Sequence, residues 1–189
     1  MSMGWRTVRA SRAERTRALP GDELIARSAG SFTHAITIRR PPRYVWPWLA
    51  QMGAGSRAGW YSYDRVDNRR HPSATSIVPE LQLLAVGMVF PALPGVTDGF
   101  MLLGFEPERF LLLGWPGPDG TPLVTWAFVL EPAGAAGTRL IVRARGAQGY
   151  RFRRLPSSIS IAVVRLVHFV MERRQLLGIA SRAELEYGS

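Results

Sequence analysis

The sequence predicts an α+β fold: a curved antiparallel sheet of about six or seven strands wrapped round one long C-terminal helix, with short helices after the first strand. Three observations carry this. The stretch from Pro156 to Tyr187 has no glycine or proline between Pro156 and Gly178, opens with Ser157 and Ser158 as capping residues, and is long enough for many turns. The middle of the chain is a run of short apolar or alternating segments separated by turn residues. One such segment, Phe32 to Ile38, stands alone ahead of a helical pattern.

Residues 1–30 form an arginine-rich arm, and residues 31–189 a single ligand-binding domain. In the arm Arg6, Arg9, Arg12, Arg15 and Arg17 recur about every third residue, which drifts round a helix instead of making one stripe. The expectation is a solvated arm or short helix ended by Pro20-Gly21, docked by Trp5 and Leu19. Phe32, His34, Ile36 and Ile38 then alternate with Thr33, Ala35 and Thr37 as a strand with two different faces. Pro41-Pro42 stop it. Val45, Trp48, Leu49 and Met52 follow at helical spacing, with Pro47 expected to delay or bend that helix because it lacks an N–H.

Gly53, Gly55 and Gly59 lead into the aromatic run Trp60, Tyr61, Ser62, Tyr63, Asp64. A phosphate loop needs its glycines between strand and helix and a lysine at the end, and this loop follows a helix in a chain without lysine. Rings with polar handles suit a pocket lining instead. Five further strands are expected at Val86–Phe90, Phe100–Glu106, Phe110–Trp115, Leu123–Glu131 and Thr138–Arg145. Val124, Trp126, Phe128 and Leu130 share one face of the fourth, and Leu140, Val142 and Ala144 one face of the fifth, so the sheet is half solvated. On the last helix Val163, Leu166, Val170, Leu177 and Ala180 are assigned to the sheet, and Arg165, His168, Glu172, Gln175 and Arg182 to solvent.

Composition narrows the function. A chain of 189 residues with 47% hydrophobic and 20% charged content folds as one globular domain. The formal charge of +10 comes from 24 basic residues, all arginine. Total absence of lysine reflects coding bias, which weakens the charge as evidence for nucleic acid, and it removes Schiff-base chemistry. Without cysteine there is no disulfide, thiolate metal site or thiol nucleophile. His34, His71 and His168 are too scattered for a metal site, no serine triad or glycosidase carboxylate pair can be assembled, and no cofactor motif is present. Met1 to Arg17 lacks the apolar core of a signal peptide and no stretch is apolar for a membrane span, so a cytoplasmic chain is expected. Oligomeric state leaves no signature.

The run Thr37-Ile38, Pro41-Pro42, Val45 to Leu49, Gln51-Met52-Gly53 and Gly59 to Asp64 resembles the SRPBCC superfamily of START-related, polyketide-cyclase-like proteins. So do Asn68, His71, Ile77 to Glu80, Gln82, Val86-Gly87, Thr125 to Leu130, Met171 to Arg174 and, upstream, Leu19 to Leu24. Met88 departs from that pattern, which has a small acidic residue after the glycine. The resemblance implies a helix-grip fold with an apolar cavity between sheet and C-terminal helix, and superfamily members include both carriers and enzymes. The expected function is binding of a small hydrophobic or aromatic molecule, lipid-like or polyketide-like, by His34, Trp60, Tyr61, Tyr63, Asp64, Trp126 and Phe128. Two alternatives accompany it: a cyclase or dehydratase using acid–base residues in that cavity, and a basic module docking on acidic protein, nucleic acid or anionic membrane. Sequence-specific nucleic-acid binding is not expected.

Overall fold

The computed structural model describes residues 7–96, 98–147 and 157–185, with side chains from 169 onward in the last segment. Six strands form one antiparallel sheet: β1 (Ser28–Ile38), β2 (Val89–Pro91), β3 (Gly99–Glu106), β4 (Phe110–Pro116), β5 (Pro122–Ala133) and β6 (Gly137–Ala147). Their spatial order is β1-β6-β5-β4-β3-β2. The helices are α1 (Arg12–Thr16), α2 (Pro42–Ala50), α3 (Asp64–Asp67) and α4 (Ser157–Leu185). Each expected strand is present, and α4 has the expected extent to within two residues at its described ends. The expected strand at Val86 shrinks to three residues because the chain first turns through exposed Val86, Gly87 and Met88.

Alternation sorts the sheet into two faces. The inner one carries Ile36, Ile38, Leu111, Leu113, Phe128, Leu130, Leu140 and Val142, which pack against Trp48 and Leu49 of α2 and Leu176, Ile179, Ala180 and Ala183 of α4. Fully burying a side chain of this kind contributes about 1.5–3 kcal/mol, so this layer is the main source of stability. α2 begins at Pro42, earlier than expected, with Pro47 inside it. Arg57 reaches back to the end of that helix, donating from Nε to the Met52 carbonyl at 2.5 Å and from Nη2 to the Ala50 carbonyl. It thereby satisfies carbonyls that a helix end leaves without partners.

On the outer face the arm holds the expected short helix, α1, but is not solvated throughout. Val8 and Arg9 first run beside β1, with Arg9 bridging His34 and Val8 joining the inner-face core; the segment that follows lies across the outer face, burying Ala10, Leu19 and Ile25, with Ala10 and Leu19 against Ala35, Val129 and Ile141. β1 starts at Ser28, so the expected boundary at residue 30 falls within a strand. The docking residue Leu19 is in place, and Trp5 lies outside the described residues. Arginines on β6 hold this strap. Arg139 grips Glu14 with Nε at 2.7 Å and Nη2 at 3.0 Å, and the Arg139 hydrogen bond holds the Glu14 carboxyl down at about 2. Arg143, only 4% exposed, donates from all three nitrogens: to Thr33 Oγ1, the Arg17, Glu14 and Arg15 carbonyls, and Asp22 Oδ2 at 2.5 Å. A guanidinium is affordable there because every donor direction meets an acceptor. The expected docking by Leu19 did not extend to a clamp built from these arginines.

Candidate functional site

The inner face is not uniform along its length. At one end Ile38, Leu140, Leu130 and Leu111 are sealed beneath α2 and the C-terminal half of α4. Towards the other end Phe32 and His34 of β1, Val124 and Trp126 of β5, Trp115 of β4 and Phe100 of β3 are only half-buried. Small residues sit between them, with Ala144 of β6 registered between Phe32 and Trp126. This end of the grip is lined by aromatic rings. Trp126 stacks on Trp60 with centroids 5.4 Å apart, and tilts against Phe128 at 4.9 Å and Phe100 at 5.2 Å. Phe100 meets Trp115 edge-on at 5.3 Å. Such offset and edge geometries are those aromatic quadrupoles favour, and they hold the rings in fixed positions.

Trp60 reaches this cluster because the loop before it folds back tightly. Gly53 and Gly59 bridge each other, and Gly59 has φ +83° with no room for a Cβ, which would meet Ser73 Oγ at 2.2 Å. The indole of Trp60 then donates to the Ala92 carbonyl at 3.3 Å. Glycine is required here both for the left-handed backbone and for the close approach.

The helix face over this end corrects the sequence assignment. Glu172 and Gln175, expected in solvent, are 3% and 2% exposed, while Val170, expected in the core, is 40% exposed. Leu177 and Ala180 are on the packed side as expected, and the side chains of Val163, Arg165, Leu166 and His168 lie outside the described residues. Polarity ordinarily sorts residues to solvent, and here the polar pair is the boundary between the sealed core and the aromatic end. Burial drives the Glu172 carboxyl up to about 8, opposed by the neighbouring Trp126 indole N–H, so it is largely uncharged at neutral pH. Gln175 donates from Nε2 to Met52 Sδ at 3.7 Å. His34 packs its ring 5.5 Å from Phe169, one turn before Glu172, and burial lowers its pKa below the usual 6.5, keeping it neutral.

The expected site residues separate into two groups. His34, Trp60, Trp126 and Phe128 border the aromatic end. Tyr61, Tyr63 and Asp64 do not. Tyr61 is buried edge-on against Trp48 at 5.8 Å, with the Arg182 guanidinium 4.7 Å over its ring, and burial raises its phenol well above the usual 10. Tyr63 is 43% exposed at the start of α3. Asp64 accepts from Ser73 N at 3.0 Å and Ser73 Oγ at 2.5 Å, which ties down the loop. Glu172, Gln175, Phe100 and Trp115 were missed. An i, i+3 polar pair inside an apolar stripe is the only signal that could have revealed the first two.

A surface groove of about 800 Å³ lies elsewhere, at the sealed rim between Pro20, Pro42, the Glu106–Arg109 turn and the end of β5, and holds none of these residues. Among the described residues no cluster of His, Asp or Glu is placed to hold a metal, and no helix is long and apolar enough to cross a membrane.

No family model and no curated relative matches the sequence. Solved structures do match. A polyketide-cyclase-like protein from Corynebacterium glutamicum superposes with TM-score 0.50 at 19% identity, over 84% of this chain and 94% of that one. The Zhui aromatase/cyclase from a Streptomyces species gives TM-score 0.50 at 14% identity, over 82% and 93%. The chain therefore has a helix-grip-like fold shared with these polyketide-cyclase-like and aromatase/cyclase structures.

Proposed function

We propose that the protein binds a small, largely apolar or aromatic molecule at the open end of the grip, between Phe32, His34, Trp60, Phe100, Trp126 and the α4 turn that carries Glu172. The observation that carries this is the change along one sheet face from sealed aliphatic core to half-buried aromatic rings. Rings left partly in water at the inner face have more apolar surface to bury, at about 25 cal/mol per Å². Both matched proteins are cyclase-type by their names, which supports a ligand of polyketide-like character. The test is an apolar fluorescent probe titrated against wild type and two variants. Trp126→Ala weakens binding by about 1–3 kcal/mol, the scale of a lost buried aromatic contact. Tyr61→Ala lowers the melting temperature and leaves the affinity of the folded fraction alone. Unchanged affinity in Trp126→Ala removes the aromatic end from the site.

A second reading, an acid–base enzyme of cyclase or dehydratase type, is favoured by one observation: a neutral imidazole packs on Phe169 of α4, and one turn further along that helix an uncharged carboxyl lies beside Trp126. Neutral His34 is a competent base and protonated Glu172 a competent acid near neutral pH. Exchange of the α-protons of a bound ketone, followed by NMR, checks it. Exchange that survives in His34→Ala and in Glu172→Gln excludes the enzyme.

A further inference from the structure

Gln175 is the least expected residue on the sheet-facing side of α4. It is 2% exposed, and its Oε1 accepts no hydrogen bond from any described residue. The orientation of the amide follows from its neighbour: Nε2 faces Met52 Sδ, and a thioether can only accept, so the nitrogen belongs there and the carbonyl oxygen is turned away from Met52. One turn earlier Glu172 continues the same polar floor beside Trp126. A leucine or methionine at 175 would fill this place with no polar atom to satisfy, and a buried carbonyl without a donor is costly. Residues that break a folding rule without a structural gain mark functional positions.

We infer that Gln175 Oε1 is the specificity-determining acceptor of the site, taking a hydrogen bond from a hydroxyl or N–H on an otherwise apolar aromatic ligand. This rests on the binding reading above. It adds a chemical class: ligands with a donor at the end that reaches the floor are preferred over isosteres in which that donor is alkylated. A site built round a buried acceptor rejects the analogue lacking the donor, because the acceptor is again left without a partner. Simple apolar complementarity discriminates far less.

The test compares 2-naphthol with 2-methoxynaphthalene and naphthalene by calorimetry on the full chain. Wild type prefers 2-naphthol over its methyl ether by about tenfold or more, and in Gln175→Leu and Gln175→Met the preference falls to about twofold or less while naphthalene still binds. Val170→Ala, at the exposed surface of the same helix, keeps the preference. Equal affinity of wild type for the two substituted naphthalenes overturns the inference without reference to any variant. A preference that persists in either folded Gln175 variant, or one lost equally in Val170→Ala, also overturns it. If Gln175 serves only to position Met52, the variants lose melting temperature and keep the preference. Failure of all three naphthalenes to bind wild type defeats the binding reading itself, and is thereby distinguished from failure of the Gln175 assignment.

Discussion

Gly178 of α4 lies directly on the backbone of Tyr61: a Cβ at Gly178 would stand 2.2 Å from the Tyr61 carbonyl oxygen and 3.0 Å from its Cβ. Tyr61 itself has φ +59°, a left-handed conformation that non-glycine residues seldom adopt. The contact holds this strained turn against the helix, with Arg182 closing over the ring and donating to the Ala74 carbonyl at 2.7 Å. Alanine is the better helix former by about 1 kcal/mol, yet overpacking against backbone costs about 1–3 kcal/mol or more. Gly178→Ala is therefore expected to destabilise in urea denaturation. A rise in stability would show that the helix and the Tyr61 turn separate easily.

The orientation of α4 is checked by a matched pair. Ile179→Ala removes a fully buried side chain and should cost about 2–5 kcal/mol, while Val170→Ala at the surface should cost under about 0.5 kcal/mol. Denaturation midpoints that rank the two the other way would turn the helix round.

Buried Glu172 and half-buried His34 set opposite pH limits. The Glu172 carboxyl titrates at about 8 in the fold, above its ordinary 4.5. The folded state then binds more protons between those values, so stability falls as pH rises from about 4.5 to 8 and Glu172→Gln flattens that slope. His34 is depressed below its ordinary 6.5, so its contribution is present above 6.5 and lost as pH falls through the folded value. Melting temperatures of wild type and Glu172→Gln across this range decide it; parallel profiles would remove Glu172 from the titration.

Arg143 and Arg109 separate buried from surface charge. Arg143→Met leaves three strap carbonyls without their donor and Asp22 with only Arg145 as a cationic partner, and is expected to cost about 3–5 kcal/mol. Arg109→Ala breaks an exposed pair with Glu106 and should cost under about 0.5 kcal/mol. Equal effects in a thermal melt would mean that the strap is not held by its arginine clamp.

Most of the fold was legible because period-two patterning is a local property. Trp126, Phe128 and Leu130, or Leu140 and Val142, announce their shared face from spacing alone. The face of α4 was not legible, because Glu172 and Gln175 look like solvent residues to any rule based on polarity, and only packing against Trp126 and Met52 reveals otherwise. Tyr61 illustrates the converse. An aromatic with a hydroxyl after three glycines suggests a pocket, but the left-handed turn at Tyr61 drives the ring between α2 and α4 instead. Charge misled at the strap for a related reason. Arg139 pairs with Glu14, and Arg143 and Arg145 share Asp22; both carboxylates come from the far end of the chain, and no sequence window contains both partners.

That separation has a kinetic consequence. Thr33 on β1 and its hydrogen-bond partner Arg143 on β6 are 110 residues apart, and Arg143 reaches still further, 129 residues, to the Glu14 carbonyl. During synthesis β1 emerges early and waits, its edge open, until β6 leaves the ribosome; only then can the strand pair and the strap lie down. Closing so long a loop before any contact rewards it makes folding slow. A strand left unpaired for that interval presents backbone donors and acceptors that can pair wrongly.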